Sequence, residues 1–185
     1  MFNINDIKNG MTFLFEGNIY QVIEFLHVKP GKGPAFVRTK IRNLRTGATI
    51  EKTFNTNIKL EKAMIEKNNM QFLYESGDVY NFMNMETYEQ VELTKDQLGD
   101  EVKYLKEGLN VDLSYFEGEV LGMMLPEKIE YTVTNTEPAV KGNTTNNATK
   151  EAYMENGLMV KVPLFVEEND HIIVSTKDGK YDSRA

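Results

Sequence analysis

The chain contains no cysteine, which excludes a disulfide framework, a thiol nucleophile and any cysteine-ligated zinc or iron–sulfur centre. Packing alone must hold the fold. Only two histidines are present, His27 and His171, far apart and without a spacing that would join them on a metal. No apolar run approaches the roughly 18 residues needed to cross a bilayer. Residues 1–10 lack the basic and then apolar order of a secretory leader, so a cytoplasmic protein without a membrane partner is expected. The phosphate-loop pattern GxxxxGK followed by Ser or Thr is also missing, and ATP hydrolysis is not indicated. No catalytic residue, metal site or dissociable cofactor is assigned, and an enzyme is not expected.

What is present is a chain of 185 residues, 41% hydrophobic and 26% charged, with a net charge of −7. This is a globular composition longer than one minimal domain. The overall acidity argues against a uniform nucleic-acid coat, but the charge is unevenly spread. Residues 1–64 carry ten basic against five acidic side chains, a balance of +5. Residues 65–128 carry five against fourteen, a balance of −9, and residues 129–185 carry six against nine, a balance of −3. The N-terminal third is therefore the candidate polyanion-binding part.

Short β-favouring runs at 11–15, 19–27, 35–41 and 49–54 are separated by Gly, Asn or Pro, which suits a small barrel of hairpins. Residues 57–67 read as the connection out of it. Strands resume at 70–73, 79–83 and 88–93. Residues 94–106 form the best helical stretch, with Leu98, Val102 and Leu105 on one face and Thr94 as its cap. Further strands fall at 109–116, 119–125, 129–135, 158–165 and 171–176. Pro163 marks its strand as an edge or a bulge, and residues 141–150 read as an exposed polar loop. Segments opening at Asn9, Glu107 and Asn156 share a glycine, an alternating strand, an acidic turn and a second strand. That recurrence favours three small β domains, 1–64, 65–128 and 129–185.

The strongest local feature is HVKPGKGPAFVRTKIRNLR, residues 27–45. Lys29, Pro30, Gly31, Lys32, Gly33 and Pro34 lie between two strand-like runs. The prolines restrict φ, while the glycines leave Lys32 with almost bare backbone neighbours. The segment thus presents one long amine at the end of a hairpin. A slender tip of this kind suits entry into a narrow anionic cavity, and an exposed lysine is open to enzymatic extension. Along the outgoing strand, Phe36, Arg38, Lys40 and Arg42 share one face, while Ala35, Val37, Thr39 and Ile41 share the other. The first face is a basic stripe that, with Arg45, offers phosphate contacts; a solvated hairpin face accounts for the same charges without a ligand. Near the C-terminus, Tyr181 and Arg184 are further candidate RNA contacts, or else a core tyrosine and a surface arginine.

The tip at 27–47, MQFLYESGDVYNFMNMETYEQVEL at 70–93, and TEPAVKGNTT, VPLF and DGKYDSR in the last third together resemble bacterial elongation factor P along the whole chain. The resemblance implies an all-β protein of three small barrels, a KOW-like (SH3-like) first barrel and two OB-fold barrels, in an elongated L similar to tRNA. It implies a monomer that binds both ribosomal subunits beside peptidyl-tRNA when synthesis stalls on consecutive prolines. Lys32 then occupies the tip position that points toward the peptidyl-transferase centre. In the family this residue is often extended by a modifying enzyme, and the proline-flanked form here is similar to the members carrying a 5-aminopentanol group. Ala139 and Asn143 depart from the family's pattern in the last domain. Two other readings compete: a general RNA-binding or RNA-chaperone protein of OB-like barrels, and a protein-interaction module using its acidic surface.

Overall fold

The computed structural model describes residues 1–138 and 148–185. Three antiparallel sheets account for nearly all regular structure, as the alternating sequence demands. The first contains β1 (Phe2–Asn3), β2 (Thr12–Phe15), β3 (Asn18–Val28), β4 (Phe36–Asn43), β5 (Thr49–Asn55) and β6 (Lys59–Lys62), in the order β1-β6-β2-β3-β4-β5. The second contains β7 (Glu66–Ser76), β8 (Val79–Asn84), β9 (Gln90–Thr94), β10 (Asn110–Phe116) and β11 (Glu119–Met124), in the order β11-β10-β7-β8-β9. The third contains β12 (Lys128–Thr136), β13 (Thr149–Met154), β14 (Met159–Pro163), β15 (His171–Ser175) and β16 (Tyr181–Arg184), in the order β14-β13-β12-β15-β16. By contact density the chain divides into two units, residues 1–67 with 114–122, and residues 68–113 with 123–185.

The first sheet closes on Phe13, which is fully buried. Its ring meets Phe2 and Phe54 edge-on, at 6.3 and 6.2 Å between centroids, and lies 5.9 Å from Tyr20. Ile4, Ile7, Val22, Val37, Ile41 and Leu60 complete the cluster, with Phe15 and Phe25 packed at its margin. Burying one such side chain stabilises the fold by about 1.5–3 kcal/mol. The third sheet buries Tyr131, Val133, Ala152, Met154, Val160, Val162, Ile172 and Val174 on one face.

Several local expectations change. Residues 57–67 are not merely a connection. They contain β6, whose Leu60 enters the core opposite Phe2, a strand hidden because charged residues occupy its other positions. The helix expected over 94–106 is broken. Thr94 does cap it, in a capping box with Gln97, but α1 covers only Lys95–Leu98 and stops at Gly99, whose φ is 85°. A 3-10 turn, Asp100–Tyr104, follows. Leu98, Val102 and Leu105 are still all buried, so the apolar face was legible and its continuity was not. β13 begins at Thr149, inside the segment read as loop. Its inward positions are Lys150, Ala152 and Met154, too weak an apolar signal to announce a strand. Residues 141–147 of that loop, with Asn143, and Ala139 before it lie outside the described residues. Pro163 ends β14, an edge strand of its sheet, as its missing N–H requires.

The internal recurrence is partly real. Phe15-Glu16-Gly17-Asn18 and Phe116-Glu117-Gly118-Glu119 are the same two-residue hairpin turn, with φ of 50° and 78° in the first and 47° and 82° in the second. Such turns match the strands' right-handed twist. The third segment departs from them, since β14 pairs with β13 and not with the strand that follows it.

Tyr131 links the third core to the 3-10 turn by donating its hydroxyl to the carbonyl of Tyr104. Burial, with Tyr104 and Glu155 nearby, pushes its phenol well above the ordinary value of 10.0. The folded state therefore retains this proton when the unfolded chain would lose it. The resulting contribution is complete below about pH 10 and is lost as pH rises toward the folded value. Tyr131→Phe should lower stability by about 1 kcal/mol at neutral pH, and should make the loss of stability above about pH 10 shallower in denaturant titrations.

Candidate nucleic-acid interface

The tip is the end of the β3–β4 hairpin. Pairing runs from Tyr20 opposite Asn43 to Val28 opposite Phe36, so residues 29–35 project beyond the last rung. Lys29, Pro30, Gly31, Lys32, Gly33 and Pro34 are all exposed. Among the described residues the ion pairs include neither Lys29 nor Lys32. Gly33 has a φ of 98°, a region that L side chains avoid. Gly31 has no such requirement, and a Cβ there would meet nothing within 4 Å. One tip glycine thus serves the backbone, whereas nothing in the chain itself demands the other.

Below the tip, β4 alternates as expected. Val37, Thr39 and Ile41 are buried at 0–1% exposure, while Arg38, Lys40 and Arg42 face out. Thr39 satisfies its buried hydroxyl by donating to the Lys52 carbonyl at 2.7 Å. The outward charges are not equivalent. Lys40 lies 3.6 Å from Glu24 and is registered opposite both Glu24 and Glu51. Arg38 is opposite Leu26 and Thr53, and Arg42 opposite Gln21 and Thr49, so these two face no cross-strand carboxylate.

Arg45 follows the stripe, just beyond the end of β4. Its guanidinium donates to Glu119 Oε2 at 3.1 and 3.2 Å and to the Gly17 carbonyl at 2.8 Å, which ties the two Glu-Gly turns together. Tyr181 is partly buried and packs against the third core. Arg184 stands 4.7 Å from the Phe165 ring centroid and 3.7 Å from Asp170, an exposed stacked cation with a carboxylate at hand. The two histidines have separate surroundings: the His27 ring meets Phe25 edge-on at 5.5 Å, and His171 Nδ1 lies 3.1 Å from Thr132 Oγ1.

Leu26 breaks the alternation of β3. A bulge between Val22 and Glu24 adds one residue to β3, turning Phe25 toward the core and leaving Leu26 58% exposed beside Arg38. A regular strand would have buried Leu26 on the face of Val22, and only the pairing register reveals the switch.

The family descriptions that match are "Elongation factor P (EF-P) KOW-like domain" over residues 3–60, "Elongation factor P (EF-P) OB domain" over 65–123 and "Elongation factor P, C-terminal" over 129–184. Elongation factor P of Phytoplasma australiense is 55% identical over 185 residues, covering 100% of this chain and 98% of that protein. The chain belongs to the elongation factor P family. It is a translation factor, not an enzyme, and its sheets are a KOW-like domain followed by two OB-type half-barrels. Among solved structures, eukaryotic translation initiation factor 5A from Methanococcus jannaschii is similar at 25% identity, with a TM-score of 0.53 over 64% of this chain and 88% of that one. A translation initiation factor eif-5a family protein from Naegleria fowleri shares the fold at 20% identity, with a TM-score of 0.54 over 67% and 96%. Among the described residues no helix is long and apolar enough to cross a membrane.

The two tip glycines should respond differently to substitution. Gly33→Ala is expected to destabilise the folded chain by about 1 kcal/mol, because alanine resists positive φ, whereas Gly31→Ala should leave the melting temperature unchanged. Thermal denaturation of both variants checks this.

Proposed function

We propose that this member of the elongation factor P family binds the cytoplasmic ribosome beside peptidyl-tRNA and promotes peptide-bond formation where consecutive prolines stall synthesis. The observation that carries the reading is Lys32 itself: an exposed amine framed by two prolines and two glycines at the end of a hairpin whose outer face bears Arg38 and Arg42. The ribosome performs the chemistry. In this reading the first domain lays its basic stripe on tRNA and ribosomal RNA phosphates, and the tip steadies the terminal nucleotides so that ester carbonyl and incoming amine meet productively. Gly31 fits this account, since its lack of a side chain answers a restriction outside the chain. The domain limits proposed are 1–64, 65–128 and 129–185, and the working form is a monomer.

Lys32 is the site proposed for a modifying enzyme, with a 5-aminopentanol group as the extension. A longer arm reaches farther without widening the tip. Of the basic residues, Arg38 and Arg42 are the principal phosphate contacts and Lys40 is partly offset by Glu24. Arg45 acts mainly by holding its turn, and Tyr181 mainly supports the third core while Arg184 presents a stacked cation. Much of the acidic surface of the middle domain faces solvent or basic ribosomal protein, while one face approaches tRNA.

Positioning can be worth much more than contact, since a displacement of about 1 Å costs on the order of 100-fold in rate. Lys32→Ala should therefore slow proline–proline bond formation severely while ribosome binding weakens only modestly, measured as peptide yield and as co-sedimentation. Equal rescue by wild type and variant would defeat the assignment. Gly31→Ala, stable in isolation, should also impair rescue. Arg38→Ala and Arg42→Ala should each reduce the salt dependence of ribosome binding by about one phosphate contact, and Lys40→Ala by less. Intact mass of the native protein and peptide mapping around Lys32 check the extension.

A further inference from the structure

The turn between β8 and β9 presents a side chain that the tip and the basic stripe leave unexplained. Residues 88 and 89 were expected to begin a strand, yet β9 starts at Gln90, and Tyr88 lies in the turn with φ of 62°. A bulky residue is unfavourable there, where glycine or asparagine would serve at lower cost. Its side chain gives little in return, because Tyr88 is 69% exposed. The turn is nonetheless closely held. Asn84 Oδ1 accepts from the backbone N–H groups of Glu86 at 2.8 Å and Thr87 at 3.1 Å. The Tyr88 N–H donates to the Asn84 carbonyl at 2.8 Å, the Asn84 N–H to the Glu89 carbonyl at 2.8 Å, and the Met85 N–H to the Asn69 carbonyl at 3.0 Å. An aromatic ring is thus held outward on a rigid frame, with much of the ordering cost of binding already met.

The surrounding charge identifies the class of partner. From residue 68 to residue 94 the chain carries Glu75, Asp78, Glu86, Glu89 and Glu92 and no lysine, arginine or histidine. Glu86, Glu89 and Glu92 are exposed, the last on β9 at the edge of its sheet. Phosphates are repelled by such a surface. Ammonium and guanidinium groups are drawn to its carboxylates, and they also favour the face of a tyrosine ring. Tyrosine is among the residues that most often anchor protein interfaces.

We propose that Tyr88, flanked by Glu86, Glu89 and Glu92, is a docking anchor for a lysine- or arginine-rich protein surface. The inference rests on the ribosomal reading above and assigns the occupant as a basic protein of the ribosome, not RNA. Two variants separate the anchor from the fold. Tyr88→Gly relieves the backbone, so its melting temperature should equal or exceed that of the wild type, while its ribosome affinity, measured by co-sedimentation, falls about tenfold. Tyr88→Phe keeps the ring and should bind nearly as the wild type does. With a photoreactive benzoylphenylalanine at position 88 of the full chain, irradiation on purified ribosomes should yield a nuclease-resistant adduct to a basic protein, identified by mass spectrometry. Unchanged affinity of Tyr88→Gly, an adduct to RNA only, or no adduct despite normal sedimentation would each overturn the docking anchor and leave ribosome binding standing. Failure of the wild-type chain itself to sediment with ribosomes would remove the functional reading and this one together.

Discussion

The two faces of β4 are the constraint on which the first domain depends. Val37 and Ile41 point into the Phe13 cluster and Thr39 is buried on the same face, and the two-residue period of a strand then compels Arg38, Lys40 and Arg42 outward. A slip by one residue would bury three cations and expose the core. The same register places Val28 opposite Phe36 and so determines where pairing ends and the tip begins. The projection of Lys32 is in this sense a consequence of how Phe13, Val37 and Ile41 pack.

Charge placement refines what composition suggests. The N-terminal third is basic as a whole, but its cations differ in availability. Lys40 is bracketed by Glu24 and Glu51, Arg45 is engaged with Glu119 and Gly17, and Arg38 and Arg42 remain turned to solvent beside neutral neighbours. An exposed ion pair contributes little to stability, yet it lowers the local potential that a phosphate would meet. The polyanion-binding capacity of this face is therefore narrower than its count of lysines and arginines implies. The middle of the chain shows the complementary arrangement, where a run without any base surrounds an outward tyrosine.

Much of this was legible beforehand. Strands β2 to β5 of the first sheet, the alternation along β4, the Pro-Gly-Lys-Gly-Pro tip and the edge position implied by Pro163 all follow from side-chain period and backbone restriction. What escaped had weak or contradictory local signals. β6 carries charge at three of its four positions, β13 offers only Ala152 and Met154 as apolar inward residues, and Gly99 divides a helix whose apolar face continues past it. The ion pair of Arg45 is equally silent in the sequence, because its carboxylate partner lies 74 positions away.

By itself the sequence determined the all-β class, the segregation of basic and acidic regions, and the single amine on a proline-framed tip, because each depends on residue type and near-neighbour spacing. Tertiary structure alone decided which cations are neutralised, which way Leu26 points and that Tyr88 stands in a strained turn. Those outcomes depend on cross-strand register, on one inserted residue in β3 and on hydrogen bonds between distant backbone groups, and none of these leaves a periodic trace along the chain.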